Sequence, residues 1–191
     1  MPKIVCLLAS PRRQGNSATI AQRLCDTAVE LGAGLNLFAL NELRFVGCQV
    51  CMACKTGLEH CAVEDDLTPV LEAVARADGV VLASPVYFSD VSAQAKALID
   101  RCYSFLKPGF VSLARPGRLV PGKKAVMILT QGYADPELCA DVFPRYEKHL
   151  RHLGFDQTHL IRACGVYGLG AAAADEELMR KAEDAARWLL V

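Results

Sequence analysis

Short, almost wholly apolar runs alternate along the chain with longer segments in which apolar residues recur at helical spacing. Three such runs are residues 3–9, 79–83 and 125–130, and each precedes a loop and a helical pattern. These runs predict parallel strands buried on both faces, because a strand with one face in water alternates apolar and polar residues. The predicted strands cover residues 3–9, 35–40, 79–83, 125–130 and 158–163, and the predicted helices cover residues 17–31, 65–77, 93–105, 136–153 and 175–190.

The alternation of five strands with five helices restricts the topology. Crossovers between parallel strands are right-handed in nearly all proteins, and helices then cover both faces of the sheet. We therefore expect residues 1–191 to form a single three-layer α/β domain around a five-stranded parallel sheet of order 2-1-3-4-5. The connection at 106–124 contains three Pro-Gly turns but leaves too little chain on either side for two cores, so we expect a loop within that domain.

Charge and composition exclude several classes of partner. The 21 lysines and arginines balance the 21 aspartates and glutamates, so no net field attracts nucleic acid or an anionic membrane. No run of about 18 apolar residues occurs, and the apolar run at 3–9 stops at Ser10-Pro11-Arg12-Arg13, which indicates a buried strand rather than a signal peptide. Nine cysteines in such a chain favour a cytoplasmic location and metal or redox chemistry over disulfides.

The loop after the first strand is rich in hydrogen-bond donors. In an open α/β sheet ligands bind beyond the carboxyl ends of the strands, and this loop borders that position. Its side chains, its glycine and the free N–H groups of the next helix suit a terminal phosphate. The dinucleotide and nucleoside-triphosphate glycine patterns are absent. The alternative is an ordinary capped helix start with exposed arginines. The candidate phosphate-binding residues are Ser10, Arg12, Gly15, Asn16 and Ser17.

This loop resembles that of the NADPH-dependent FMN reductases in the flavodoxin-like superfamily, which typically reads Gly-Ser-Pro-Arg followed shortly by Gly-Asn-Ser. The present chain has Ala9 where the family usually has glycine. The resemblance covers about residues 3 to 135. It implies a flavodoxin-like fold, one bound FMN with its phosphate held by Ser10, Arg12, Asn16 and Ser17, and NAD(P)H as a co-substrate.

Two further loops are candidates for contact with the flavin ring. Residues 85–88 follow the third strand and offer a flat apolar surface with backbone amides, and the resemblance places such a segment against the isoalloxazine. The alternative is a strand-end turn with two core aromatic side chains. Residues 130–133 follow the fourth strand at the same edge of the sheet and are a third candidate for contact with the ring. The candidate ring-binding residues are Pro85, Val86, Tyr87, Phe88, Thr130, Gln131 and Gly132.

Four cysteines lie in residues 47–62, a segment called here the cysteine loop. The spacing Cys48-x2-Cys51-x2-Cys54-x6-Cys61 favours iron and sulfide over structural zinc, which usually takes two separated Cys-x2-Cys pairs. It resembles the iron-sulfur flavoproteins, a branch of the same superfamily. That resemblance implies a [4Fe-4S] cluster on these four cysteines, in a homodimer or homotetramer in which clusters pass electrons toward the flavin of a neighbouring subunit. Zinc and unmetallated thiols are the alternatives.

Three functions follow from these patterns. The first is an FMN-dependent redox protein that transfers electrons between FMN and a [4Fe-4S] cluster or an external acceptor. Its partners would be a small-molecule or protein electron donor and acceptor, and its chemistry would rest on the cofactor, with no protein nucleophile or general base. The second is an NAD(P)H-dependent FMN or quinone reductase without a cluster. The third is a binding module that responds to thiol oxidation or zinc.

Overall fold

A parallel β-sheet with helices on both faces forms the centre of the molecule. The structure is a computed structural model, and it describes all residues from 1 to 191. The strands are β1 (Lys3–Leu8), β2 (Gly34–Ala39), β3 (Gly79–Tyr87), β4 (Asp90–Val91), β5 (Lys123–Thr130) and β6 (Phe155–Ala163). The α-helices are α1 (Asn16–Glu30), α2 (Ala53–Thr56), α3 (Thr68–Arg76), α4 (Ala93–Arg101), α5 (Val142–Leu153) and α6 (Glu176–Leu190).

The sheet order is β2-β1-β3-β5-β6, and neighbouring strands along this path run parallel. The predicted flavodoxin-like fold class is confirmed, and the five parallel strands have the predicted order. The register pairs Leu8 with Ala83 and Pro85 with Thr130. Consequently the loops that leave β1, β3 and β5 meet at one edge of the sheet.

A sixth, two-residue strand was not predicted. Strand β4 pairs antiparallel with the end of β3, with Val86 opposite Val91 and Tyr87 opposite Asp90. Phe88 and Ser89 form the connecting turn, with φ of 49° and 66°. Two successive left-handed residues match the turn that short hairpins favour, although Asn-Gly is its usual sequence. This hairpin extends the third strand beyond the sheet edge.

Two hydrophobic layers lie on opposite faces of the sheet. Val5 and Leu7 point into the layer beneath α3, α4 and α5, whereas Ile4 and Cys6 point into the layer beneath α1 and α6. Because successive strand residues point to opposite faces, burial on both sides explains why β1 is apolar throughout. None of the helices is both long and apolar enough to cross a bilayer.

Ser92 fixes the start of α4 against the strand ends. Its Oγ accepts a 3.3 Å hydrogen bond from the N–H of Ala95, as expected of an N-cap serine, and donates a 2.7 Å bond to the carbonyl of Ala9. Its own N–H donates to Ser84 Oγ at 3.0 Å. One serine thus ties the helix to the ends of both β1 and β3.

Helix α5 begins at Val142, six residues later than position 136, where the sequence predicted its start. The guanidinium of Arg162 on β6 donates hydrogen bonds to the carbonyl oxygens of Pro136, at 2.6 Å, and Leu138. Carbonyls bonded to a distant side chain are not available to a helical turn. Residues 136–141 therefore form turns that border the edge of the sheet where β5 ends.

Candidate functional site

A cavity of about 670 Å³ lies at the edge of the sheet where β1, β3 and β5 end. The structure brings together around this one cavity all twelve residues that the sequence nominated for a flavin. They are Ser10, Arg12, Gly15, Asn16, Ser17, Pro85, Val86, Tyr87, Phe88, Thr130, Gln131 and Gly132. A cavity of this size and position suits a small-molecule cofactor.

The loop between β1 and α1 forms a tight cradle on one side of the cavity. Ser10 Oγ accepts a 3.1 Å hydrogen bond from the N–H of Arg12, and the N–H of Gly15 donates a 3.0 Å bond to the carbonyl of Arg12. A Cβ on Gly15 would lie only 2.7 Å from Ser10 Oγ. A side chain at this position would therefore displace the Ser10 hydroxyl, and with glycine there the backbone closes directly onto the first turn of α1.

Ser17 in the first turn of α1 has a buried hydroxyl without a hydrogen-bond partner. The residue is 1% exposed and lines the cavity. Buried polar groups are nearly always paired in native proteins, so an unpaired one at the wall of a cavity points to a missing ligand. The unpaired N–H groups and positive dipole end of a helix start favour an anionic ligand there.

The two arginines of this loop differ in their partners. Arg13 forms a 2.6 Å ion pair with Glu42, on the short turn after β2. Arg12 lines the cavity and forms no ion pair with another residue of the chain. The loop therefore leaves one cation available to a ligand.

The side chain of Asn16 is occupied by the protein itself. Its Nδ2 donates 2.9 Å hydrogen bonds to the carbonyl oxygens of Val166 and Gly168, and its Oδ1 accepts a 3.1 Å bond from the N–H of Ala172. The side chain thus fastens the loop after β6 to the cavity. Asn16 was expected to contact a phosphate with this side chain, whereas the structure leaves only its backbone N–H for that purpose.

The end of β3 and the β3–β4 turn form an apolar wall. Val86 is half-buried at the cavity, and Tyr87 and Phe88 are 41% and 106% exposed. The alternative drawn from the sequence, a strand-end turn with two core aromatic side chains, is therefore wrong, because neither ring lies in the core. An exposed aromatic turn beside a cavity is available for contact with a bound ring.

The loop after β5 forms the third wall around Gln131. This side chain is 3% exposed, and its Nε2 donates to the carbonyl oxygens of Tyr133 and Asp135 at 3.1 and 3.0 Å. Its Oε1 accepts a 2.8 Å hydrogen bond from Arg162. Gln131 thus shapes the cavity wall through its own side-chain bonds. The ring of Tyr167 packs on Gly132, where a Cβ would lie 2.9 Å from a ring carbon.

The cysteine loop packs against α4 and the segment after it. Cys54 is buried, Cys48 and Cys61 are half-buried, and Cys51 is exposed. Val50 and Met52, on either side of Cys51, have φ of 52° and 58°, a conformation that is strained for side chains of this size. The backbone of the loop therefore turns sharply on both sides of Cys51.

The four thiols of the cysteine loop do not converge on a common point where a metal could bind. No group of three or more Cys, His, Asp or Glu side chains in the chain approaches closely enough to hold a metal ion. The chemistry of the donors does suit an iron-sulfur centre, since two cationic side chains contact the sulfurs. Lys55 Nζ lies 3.5 Å from Cys54 Sγ, and Arg101 Nε lies 3.0 Å from Cys61 Sγ.

Two cysteines outside the loop have raised thiol pKa values. For Cys6, a hydrogen bond with Cys25 and burial raise the pKa well above its ordinary value. Burial raises the pKa of Cys102 to about 12. Both thiols stay protonated at neutral pH, which agrees with their places in the hydrophobic core.

The sequence profile of the NADPH-dependent FMN reductases matches residues 2–138, which include β1 to β5 and most of the cavity wall. The chain belongs to the NADPH-dependent FMN reductase family. This is a family of oxidoreductases, and the match confirms the resemblance seen in the first loop.

Curated iron-sulfur flavoproteins share sequence with part of this FMN reductase family member. An iron-sulfur flavoprotein of Methanocaldococcus jannaschii is 34% identical over 99 residues, which are 52% of this chain and 51% of the relative. The iron-sulfur flavoprotein of Methanosarcina thermophila is 31% identical over 108 residues, 56% of each chain. The chain thus matches about half the length of these relatives.

Solved structures of oxidoreductases share the fold over the full length of the chain. An NAD(P)H:quinone oxidoreductase from Methanothermobacter marburgensis gives a TM-score of 0.77 at 20% identity, covering 100% of this chain and 98% of that one. An FMN-dependent NADH-azoreductase from Bacillus anthracis, in complex with FMN, gives 0.72 at 16% identity, with 99% of both chains covered. At such identities the likeness establishes the fold alone.

Four residues of the cavity in this FMN reductase family member were not indicated by the sequence. They are Ser89, Cys139, Val166 and Tyr167. Tyr133, which also lines the cavity, ends the segment 130–133 that the sequence marked for ring contact. Tyr167 follows β6, so the rule that ligands bind beyond strand ends could have nominated its loop as well. Cys139, with φ of 64°, carries no such signal, because its place depends on the unpredicted turns before α5.

Proposed function

We propose that the cavity binds FMN and that the chain is an FMN-dependent oxidoreductase. The observation that carries this proposal is the buried, unpaired hydroxyl of Ser17 at the start of α1. Its position on the cavity wall suits the terminal phosphate of FMN, which would accept the missing hydrogen bond. The family, whose members are NADPH-dependent FMN reductases, supports the same cofactor.

Three kinds of hydrogen-bond donor, in the first loop and the start of α1, would hold the phosphate. The hydroxyl of Ser17 and the first backbone N–H groups of α1 would donate hydrogen bonds, and Arg12 would add a charge-assisted one. Ser10 and Gly15 would keep the backbone tight around it. Asn16 would act through its N–H while its side chain holds the loop at 166–172 in place.

The isoalloxazine ring would lie between the other two walls of the cavity. The β3 end would supply the apolar surface through Pro85 and Val86, and the exposed rings of Tyr87, Phe88 and Tyr167 would shield it from water. The loop of residues 130–132, fixed by Gln131, would meet the polar edge of the ring. When bound, FMN supplies the redox chemistry, and the protein binds, orients and shields it.

We further propose that the cysteine loop holds a [4Fe-4S] cluster through Cys48, Cys51, Cys54 and Cys61. Three observations support this: the compact spacing, the cationic N–H groups beside two of the sulfurs, and the curated relatives, which are named iron-sulfur flavoproteins. The proposal requires the loop to close around the cluster, since the thiols as placed do not form a metal site. Electrons would then pass between FMN and the cluster or an external acceptor.

The second candidate is an NAD(P)H-dependent FMN or quinone reductase in which the cysteines bind no cluster. The match to a family of NADPH-dependent reductases favours it. The two candidates differ in iron content and in the immediate electron donor. A binding module that responds to thiol oxidation or zinc would instead lack turnover with any electron donor.

Anaerobic purification of the full chain separates these functions. Visible flavin bands with about four iron atoms per chain would support the cluster version. Flavin without iron, bleached rapidly by NADPH or NADH, would support the reductase and refute the cluster. Colourless protein that carries zinc and takes up no FMN would refute both redox functions. A homodimer or homotetramer and a cytoplasmic location stay predictions, checked by light scattering and by fractionation of the source cells.

A further inference from the structure

Arg101 on α4 is fully buried, with a side-chain exposure of 0%, and all five of its N–H groups are paired. Nε donates to Cys61 Sγ at 3.0 Å. Nη1 donates to the carbonyl of Val46 and to Asp65 Oδ2, at 2.9 and 2.8 Å. Nη2 donates to the carbonyl of Val63 and to Asp65 Oδ1, at 2.7 and 3.2 Å. A guanidinium has five such donors, so this one is saturated.

The five acceptors lie at the two ends of the cysteine loop. Val46 directly precedes the loop, Cys61 is its last cysteine, and Val63 and Asp65 follow it. Asp65 joins the same two ends, because its Oδ2 also accepts a 3.1 Å hydrogen bond from the N–H of Val46. A single side chain from α4, together with its carboxylate partner, thus closes the base of the cysteine loop.

The far part of the loop is also held by cations. Lys55 donates to the carbonyl oxygens of Tyr103 and Leu106 at 2.6 and 2.7 Å, besides its contact with Cys54 Sγ. Arg118 donates to the carbonyl of Cys54 at 3.2 Å. Lys55 and Arg101 thus each place a cationic N–H beside a cysteine sulfur of the loop.

The contact with Cys61 distinguishes Arg101 from an ordinary structural arginine. Burying a guanidinium is costly unless each N–H finds a good acceptor, and a neutral thiol is a weak one. A thiolate within an iron-sulfur centre is a much better acceptor for a charged N–H. Hydrogen bonds to the sulfurs are among the features that set the stability and reduction potential of such a centre.

We propose that Arg101 is a positioning residue for the cysteine loop. Its guanidinium closes the base of the loop and holds the sulfur of Cys61 in place for an iron-sulfur cluster. This inference rests on the cluster half of the proposed function. It concerns the loop alone, since Arg101 is not among the residues that line the FMN cavity.

The test compares three variants of the full chain, purified without oxygen. Arg101→Lys keeps a positive charge but cannot reach both ends of the loop with five donors. The double variant Arg101→Gln with Asp65→Asn removes both members of the buried ion pair, so that no lone charge stays buried. Lys96→Gln is the matched control, because Lys96 is an exposed cation on the same helix, paired with Asp100.

Each protein is analysed for FMN, for iron retained against a chelator, for the reduction potential of the cluster and for hydrogen exchange of residues 44–66. The two Arg101 variants should keep FMN at the wild-type level but bind iron about 10- to 100-fold more weakly. Their backbone at 44–66 should exchange faster, and the cluster that remains should have a changed potential. Lys96→Gln should match the wild type in every measurement.

Wild-type iron retention and potential in both Arg101 variants would overturn the inference while leaving the cluster in place. A wild-type protein with full FMN and no iron would instead overturn the cluster itself, and with it the role of Arg101 toward that cluster. In that case the exchange data decide what remains: unchanged exchange at 44–66 would also refute closure of the loop by Arg101.

Discussion

The hydroxyl of Tyr146 donates a 2.8 Å hydrogen bond to Oδ1 of Asp90. This bond joins α5 to the hairpin that carries the aromatic turn of the cavity, and Arg145 adds a 3.3 Å ion pair with the same carboxylate. Asp90 Oδ1 also accepts a 2.7 Å bond from the N–H of Val91. The wall proposed to contact the flavin is therefore anchored from a helix that lies outside the cavity.

Replacing Tyr146 with phenylalanine should weaken this anchor. The ring would still fill its buried place, but the hydrogen bond would be lost. We expect the free energy of unfolding of the FMN-free protein to fall by about 1 kcal/mol and the affinity for FMN to fall with it. Urea denaturation and FMN titration measure the two effects. Tyr133→Phe is the control for stability, because that side chain is mostly exposed. An equal loss of unfolding free energy in both variants would contradict the prediction.

The carboxylate of Asp90 should make stability depend on pH. Burial raises its pKa, but hydrogen bonds from Tyr146 and Val91 and the charge of Arg145 outweigh burial, so the pKa lies below the ordinary 3.8. A depressed pKa in the folded state means that the stabilisation is present above the unfolded pKa and is lost as the pH falls through the folded one.

The matched variant for this effect is Asp90→Asn. The difference in unfolding free energy between wild type and variant should be constant from about pH 5 to pH 8 and should shrink below about pH 4. Chemical denaturation across this range measures it. A difference that persists unchanged at pH 3 would show that the charge of Asp90 does not stabilise the fold.

Ser17→Ala separates a ligand-binding serine from a structural one. The hydroxyl has no partner in the protein, so its removal should not destabilise the FMN-free chain. The affinity for FMN should nevertheless fall, by about 1.5–3 kcal/mol for one lost hydrogen bond to a charged phosphate. Thr19→Ala is the control on the same helix, since Thr19 Oγ1 bonds to the carbonyl of Gly15 and does not line the cavity. Unchanged FMN affinity in Ser17→Ala would remove the main support for the phosphate position.

Asn16→Ala should release the loop after β6. Three hydrogen bonds to the backbone of Val166, Gly168 and Ala172 are lost, and the unpaired backbone groups should cost about 1–3 kcal/mol of stability. Hydrogen exchange at 166–172 should become faster, and FMN should bind more weakly because Tyr167 loses its support. Asn36→Ala, at an exposed position of β2, serves as the control. Slow exchange at 166–172 in Asn16→Ala would contradict the assigned role.

The sheet and most of the cavity could be predicted because they depend on local pattern. Strands buried on both faces are apolar throughout, and the strand order brings the ends of β1, β3 and β5 together. The twelve nominated residues followed from that rule and from the family resemblance. Their binding of FMN stays a prediction until the cofactor is measured.

The remaining features depend on contacts between distant parts of the chain. The late start of α5 follows from Arg162, which binds carbonyls 26 and 24 positions earlier. The β3–β4 hairpin uses Phe88 and Ser89 in a turn that usually contains asparagine and glycine. The side chain of Asn16 found its partners 150 to 156 positions away. None of these pairings leaves a periodic signal in the sequence.

The most direct test of the account is the titration of the FMN-free full chain with FMN, followed by quenching of flavin fluorescence. We expect saturation at about one FMN per chain, with Ser17→Ala saturating at the same ratio but at higher FMN concentration. Protein that is colourless when purified and leaves the fluorescence of added FMN unchanged would contradict it, and the fold alone would then stand.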